Sequence, residues 1–330
     1  LTIKLRGTRV NAPHWKIGEA VLETVACPLC RGRRFQSLAD TDRYDMDIGT
    51  VGCQGCGLVL TNPQPTEASL GDFYAQHYRR YYQKTDTPSL DYIREYRKDE
   101  RAAHTTGFLQ QQGALREGMR VLDIGASEGC ILKAIRDVVP SAVAVAVEPN
   151  PLFGGFAVSH AGCTLHASVD ALRAAGEAAF DLIVINHVYE HVKEPVGFLR
   201  QLSDLLTVGG RIYIDVPDVT AYTGLESLHI AHLYHFGPAS LRRAAGLAGY
   251  AVQVLEKHNP VMHPKSLRCL LAPGGGAPAA LTPLREGWAE VMRAQRRAAR
   301  YHRRQWSLWR RVRHTLRRGQ PAAMPEDHRP

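Results

Sequence analysis

Residues Val121 to Cys130 read VLDIGASEGC, an apolar run that ends in an acid and breaks at once into a glycine-bearing turn. Val121, Leu122 and Ile124 suit a buried parallel strand, Gly125 and Gly129 permit close backbone approach, and the apolar spacing from Ile131 to Val139 predicts a helix. The unit reads strand, turn, helix. A second apolar run, Ala142 to Val147, ends in Glu148, 25 residues after Asp123. That is near the spacing at which an α/β crossover returns a carboxylate to the ribose of a nucleotide cofactor. A dinucleotide site is the competing reading, but its middle glycine is missing. Ser127 stands inside the turn, and Glu128 beside it would repel a diphosphate.

With Asp123 before it, Gly125-Ala126-Ser127-Glu128-Gly129 resembles motif I of the class I S-adenosylmethionine (SAM)-dependent methyltransferases, Ser127 standing for the second glycine. The resemblance runs from about residue 119 to 256. Phe180 to His187 (FDLIVINH) is similar to the family's fourth strand, and Val188 to Val192 (VYEHV) carries its EH pair. Leu205 to Pro217 (LLTVGGRIYIDVP) resembles the Gly-Gly turn and fifth strand. The implied fold is α/β, a Rossmann-like class I methyltransferase sheet. The implied cofactor is SAM, lined by Gly125, Ala126, Ser127 and Gly129, with Asp123 shaping the turn and Glu148 on the ribose diol. Ser168 and Val169 fall on the adenine side. Asn186 and His187 close the fourth strand at the carboxyl edge where open α/β sheets bind ligands, which brings His187 near the sulfonium.

Seven cysteines separate into four and three by spacing. Cys27-Pro-Leu-Cys30 and Cys53-Gln-Gly-Cys56 are two C-x-x-C knuckles with 22 residues between them, an arrangement that presents four thiolates tetrahedrally to zinc. Gly32 and Gly57, just past each second cysteine, suit turns whose amides point at sulfur. Four protein ligands close such a site, so its expected role is structural. A redox pair or two disulfides are the competing uses.

The stretch from Cys27 to Tyr78 resembles the zinc-bearing N-terminal region of methyltransferases acting on nucleotide-linked sugars and related saccharides. There a tyrosine from the following helix reaches the substrate; Tyr78 matches it, with Tyr74 and His77 as neighbours. His229 to Phe236 (HIAHLYHF) resembles a further family segment, aligning His232 with its histidine. The tyrosine and glutamate used there by sugar C-methyltransferases are absent, which favours O-methyl transfer assisted by His191 or His232. A metal site at His229, His232 and His235 is disfavoured because no carboxylate is evident nearby.

Charge is placed unevenly. Between Arg285 and Arg318 stand twelve arginines against two glutamates, a local +10, so the remainder of this +9 chain sums to −1. Trp288 to Leu316 lacks proline and sets Leu308, Trp309, Val312 and Leu316 on one helical stripe, a basic amphipathic pattern that fits an anionic membrane surface. No apolar stretch approaches a membrane span, and the opening LTIKLRGTRVNAPHW lacks the apolar centre of a signal peptide, so the expected location is cytoplasmic, peripheral to the inner face of the membrane.

The expected organisation is a zinc ribbon over 1–62, a helical linker and substrate lid over 63–115, a SAM-binding catalytic domain over 116–271, and a flexible linker with a basic C-terminal helix over 272–330. Asp91 to Gln112 reads as one linking helix. The reading of function is methyl transfer to a hydroxyl of a sugar, polysaccharide or related small metabolite. The alternatives are an RNA methyltransferase, disfavoured because the catalytic region has no basic stripe, and a SAM-binding protein without turnover.

Overall fold

The computed structural model describes residues 20–44, 46–78, 85–224, 228–274, 287–298 and 300. The stripe from Leu308 to Leu316, and with it the expected membrane contact, lies outside them. Among the described residues no helix is long and apolar enough to cross a membrane.

The N-terminal part supplies β1 (Leu22–Glu23), β2 (Phe35–Ala39), β3 (Thr50–Cys53), β4 (Val59–Thr61) and β5 (Gln64–Pro65), then α1 (Glu67–Gln76), which is capped by the Thr66 hydroxyl accepting from the Ser69 amide. Two helices follow, α2 (Leu90–Glu95) and α3 (Lys98–Gln111). The single helix expected over Asp91 to Gln112 is broken because Arg97 adopts a left-handed backbone (φ 49°), which ends one helix and starts the next.

The main sheet then assembles from β6 (Arg120–Ile124), α4 (Cys130–Val138), β7 (Val143–Val147), α5 (Pro151–Ala161), β8 (Thr164–His166), α6 (Val169–Ala174), β9 (Phe180–Asn186), α7 (Pro195–Gln201), β10 (Leu206–Pro217), β11 (Tyr234–His235), α8 (Pro238–Leu247), β12 (Tyr250–His258) and β13 (Ser266–Pro273). Seven strands are ordered β12-β13-β10-β9-β6-β7-β8, and β13 alone runs antiparallel to its neighbours. Strands covered on both faces read as continuous apolar runs, which is why β6, β7 and β9 lack polar alternation.

Alternate residues of each strand feed two cores. Val121, Leu182, Val184 and Tyr213 meet Phe108, Leu109, Ile131 and Leu132 on one face. Leu122, Ile124, Ile183, Ile185 and Ile214 meet Leu172, Leu199 and Leu241 on the other. The chain order reverses between β6 and β9, leaving a crevice at their carboxyl ends.

The second face also takes Cys27, Leu29, Leu58 and Leu60, so the apolar core continues from the knuckles into the main sheet. Strands β2, β3 and β4 form a four-stranded antiparallel sheet completed by β11, where Tyr234 pairs with Leu60 and His235 with Val59. The segment bearing β11, which falls inside the catalytic domain expected over 116–271, therefore finishes the cysteine-bearing sheet. A final helix, α9 (287–298), lies on the same sheet, with Val291 packed on Leu38 and Val59 beside Trp288. The connector expected from Ala272 begins after β13, which extends to Pro273, and its remainder over 275–286 lies outside the described residues; α9 beyond it packs against Gly52 and Gly57.

Candidate active site

The turn after β6 crowds three left-handed residues into five positions: Gly125 (φ 77°), Ser127 (φ 51°) and Gly129 (φ 76°). A β-carbon on Gly125 would lie 2.4 Å from Val188 Cγ2, so that glycine is required. Ser127 occupies a conformation glycine usually supplies, and its amide is held at 3.0 Å by Glu148 Oε2. The second Glu148 oxygen accepts from the Asn150 amide at 2.9 Å, while the Gly125 and Ala126 amides donate to the Val147 carbonyl. The acid at the end of β7 thus fixes the turn after β6. Beneath it Asp123 is buried; loss of solvent first, and the Glu148 charge second, push its carboxyl up to about 7.

Glu128 does not stand as a free charge that would repel a diphosphate. It is buried and paired with Lys98 Nζ at 2.6 Å, and that ammonium lies 4.5 Å from the Tyr92 ring centre. Ala126 lies buried within the turn. Ser168 is the exposed N-cap of α6, its hydroxyl accepting from the Ala171 amide at 3.0 Å, and Val169 begins that helix at the carboxyl end of β8.

At the end of β9, Asn186 leads into His187, whose left-handed backbone (φ 55°) swings the chain into a short 3-10 turn, Tyr189–His191. That turn puts Glu190 and His191 on the crevice. The Glu190 side chain is 1% exposed, and neither carboxylate oxygen has a hydrogen-bond partner. Three imidazole nitrogens face its Oε1: His187 Nδ1 at 3.5 Å, His232 Nε2 at 3.7 Å and His191 Nε2 at 4.0 Å. His191 Nδ1 donates to the Ala231 carbonyl at 2.7 Å and lies 3.0 Å from the Tyr74 hydroxyl. Burial holds His191 below the usual histidine range and His229 and His232 well below it, so these rings are neutral at neutral pH.

His191 and His232, 191 from the strand edge and 232 from the segment before β11, therefore meet, as do Tyr74 and Tyr78 above them. The Tyr78 ring centre is 6.0 Å from that of His191, but the hydroxyl in hydrogen-bond range of the imidazole belongs to Tyr74. His77 turns aside to stack on Phe73. His235 also leaves the cluster, its Nδ1 at 3.2 Å from the Tyr222 hydroxyl. The carboxylate held absent near the histidines is present: Glu190, overlooked because it sits 39 residues upstream of His229 in sequence. Its signal was the acid directly before His191 at the end of a strand.

The four knuckle sulfurs converge 3.4 Å apart in two pairs, Cys27 with Cys56 and Cys30 with Cys53, and all four lie within 4.8 Å of one another. None is in a disulfide. Amides of Gly32 and Leu58 point at Cys30 and Cys56 sulfur. In the first knuckle the left-handed residue is Arg31 (φ 60°) rather than Gly32, which is needed instead for space, since a β-carbon there would be 3.2 Å from Cys30 Sγ. The set fits a tetrahedral ion with thiolate ligands.

Residues 93–273 match the model of a family described as methyltransferase domain. The chain belongs to that family. The matched residues include the glycine turn between β6 and α4 and the crevice at the ends of β6 and β9. Curated relatives include the ubiquinone biosynthesis O-methyltransferases of Ruegeria pomeroyi, 34% identical over 28% of this chain and 39% of that protein, and of Parvibaculum lavamentivorans, 31% identical over 40% and 51%. The matches thus span between two fifths and about half of those relatives. Among solved structures, magnesium protoporphyrin IX methyltransferase from Synechocystis PCC 6803 with bound SAH is similar at 14% identity and a TM-score of 0.46, covering 63% of this chain and 100% of that one.

Proposed function

We propose that this methyltransferase moves the SAM methyl group to a hydroxyl oxygen of a sugar, polysaccharide or related small metabolite held in the crevice between the 3-10 turn and Tyr74. The observation that carries the reading is the convergence of neutral His191 and His232 on the strand edge next to the cofactor turn. SAM supplies an electrophilic methyl group on a sulfonium. The acceptor oxygen forms the new carbon–oxygen bond as the sulfur–carbon bond breaks, and the hydroxyl proton passes to an imidazole. His191 is oriented for this. With Nδ1 donating to the Ala231 carbonyl, its lone pair sits on Nε2, 4.0 Å from Glu190 Oε1.

Gly125, Ala126, Ser127 and Gly129 would line the cofactor, with Glu148 and Asp123 behind them, Ser168 and Val169 beyond, and Asn186 and His187 beside the sulfonium. Tyr78 and Tyr74 would cover the acceptor and exclude water. The four cysteines would hold a structural zinc that anchors the sheet carrying β11, and through it the segment bearing His232. A phenolic hydroxyl is the second reading. It is favoured by the relatives named for ubiquinone biosynthesis, and it needs a weaker base because phenols ionise near pH 10.

The test is incubation with methyl-labelled SAM and separate panels of nucleotide sugars, polysaccharide fractions, phenols and RNA. Label in a methyl ether of a saccharide supports the first reading and in a phenol the second. Label in RNA alone overturns both.

A further inference from the structure

We propose that Glu190, His191 and His232 form a second metal site, for a divalent transition ion, distinct from the cysteine cluster. Glu190 Oε1 lies 3.7 Å from His232 Nε2 and 4.0 Å from His191 Nε2, and the three donors lie within 4.8 Å of one another, a set slightly wider than the roughly 3.4 Å between tetrahedral ligands that an ion would draw in.

Three features of the cluster, the second and third sharing one hydrogen bond, point to a cation. First, the Glu190 side chain is 1% exposed and both its oxygens are without a hydrogen-bond partner, a costly arrangement for a buried carboxylate unless something positive meets it. No lysine or arginine pairs with it among the described residues. Second, the nitrogen that His191 turns toward Glu190 is not a donor. Its ring proton is on Nδ1, committed to the Ala231 carbonyl at 2.7 Å, so Nε2 presents a lone pair to the carboxylate lone pairs. Lone pair facing lone pair is repulsive without an ion between them. Third, a backbone carbonyl holding the far nitrogen is the usual means by which a protein aims a metal-binding imidazole. His232 comes from a different part of the chain and brings Nε2 to 3.7 Å from Glu190 Oε1, so the three ligands are not an accident of one local turn.

Two imidazoles and one carboxylate suit zinc, cobalt, iron or manganese better than magnesium or calcium, which prefer oxygen. Three protein ligands leave positions open, in contrast to the four thiolates of the cysteine cluster. His187, with Nδ1 at 3.5 Å from Glu190 Oε1, flanks the set and would steady the carboxylate. Binding of the ion stands apart from the methyl-transfer reading; its use rests on that reading. An acceptor hydroxyl on an open position would lose its proton to solvent more readily, and the ion would then hold the resulting oxyanion until it takes the methyl group.

The experiment titrates Co2+ into the full-length protein with its cysteine-site metal in place and follows visible absorption. The expected result is saturable uptake of one added equivalent, giving d–d bands without a thiolate charge-transfer band. Glu190→Gln and His232→Ala should each weaken that uptake at least tenfold. Absence of saturable uptake in the wild-type protein overturns the proposal, as does uptake that appears only with a thiolate band, or equal uptake by both variants. The wild-type titration decides even if a variant fails to fold. Calorimetric SAM binding on the same sample reports separately on the cofactor site.

Discussion

The cysteine cluster and the histidine cluster each gather donor side chains, by opposite routes. Cys27, Cys30, Cys53 and Cys56 come from two tight turns of one small sheet, present a single donor type, and are enclosed by Leu29, Leu58 and Leu60. Glu190 and His191 come from the end of β9, His232 from the segment before β11, and Tyr74 from α1. The first set is closed and bound by chemistry local to its knuckles. The second is mixed, polar and left with unsatisfied atoms at a sheet edge. Closure marks scaffold, and unsatisfied donors and acceptors at the crevice mark chemistry. The two are joined through β11, since His232 lies two residues before Tyr234, which pairs with Leu60 of the cysteine-bearing sheet.

If this division holds, the largest effect comes from the sulfur side. Cys56→Ser should remove the structural metal and with it the cooperative unfolding transition of the N-terminal sheet, because thiolate-bound zinc contributes on the order of 10 kcal/mol to small folded units. Metal analysis with thermal unfolding checks it, and a normal melting curve in metal-free protein would break the comparison. On the histidine side, His232→Ala should lower kcat by about 10²- to 10⁴-fold with SAM affinity retained, read by steady-state kinetics and calorimetry. Loss of SAM affinity instead would place His232 in the cofactor half.

Gly57→Ala sharpens the scaffold side. At φ +79° its β-carbon would fall 2.1 Å from the Gly287 backbone, so left-handed strain and overpacking together should cost about 3 kcal/mol in denaturant unfolding, with little change in KM. Asp123 provides a pH test on the cofactor turn between the clusters. Its folded carboxyl, raised to about 7, keeps its proton over a range in which the unfolded chain has lost it. Apo-protein stability from this group is therefore fully present below the unfolded carboxyl pKa and falls as pH rises toward 7. If SAM binds the ionised form, affinity should drop about fivefold between roughly pH 7 and 6, and Asp123→Asn should flatten that dependence in calorimetric titrations. The smallest effect is Tyr74→Phe: one hydrogen bond to His191, worth about 1 kcal/mol, should reduce kcat about fivefold and shift the acid limb of its pH profile.

What could be read from the sequence follows the same division. Cysteine knuckles and the Asp123 to Gly129 turn are local patterns, each decided by residues a few positions apart, and the sheet around β6, β7 and β9 follows from apolar runs of fixed length. The docking of β11 on β4 was hidden because two-residue pairing across 174 residues leaves no periodic trace. Glu190 was visible as the acid of the EH pair, but its meeting with His232 was hidden for the same reason, since the two lie 42 residues apart on different elements. That His191 meets the Tyr74 hydroxyl, one helical turn before Tyr78, is set by packing rather than spacing. The break at Arg97 likewise has no local marker, since Arg94, Glu95 and Lys98 around it are good helix formers.

The central claim is that Glu190, His191 and His232 serve methyl transfer to oxygen while the cysteines serve the fold. Its most direct measurement is the product itself: labelled SAM, the hydroxyl-bearing acceptor found by panel screening, and NMR assignment of the atom that carries the methyl group, for wild type and His232→Ala. The account predicts a methyl ether, formed with one SAH per methyl and suppressed at least 100-fold in the variant. A methyl group on carbon or nitrogen, or equal rates in the two proteins, would contradict it.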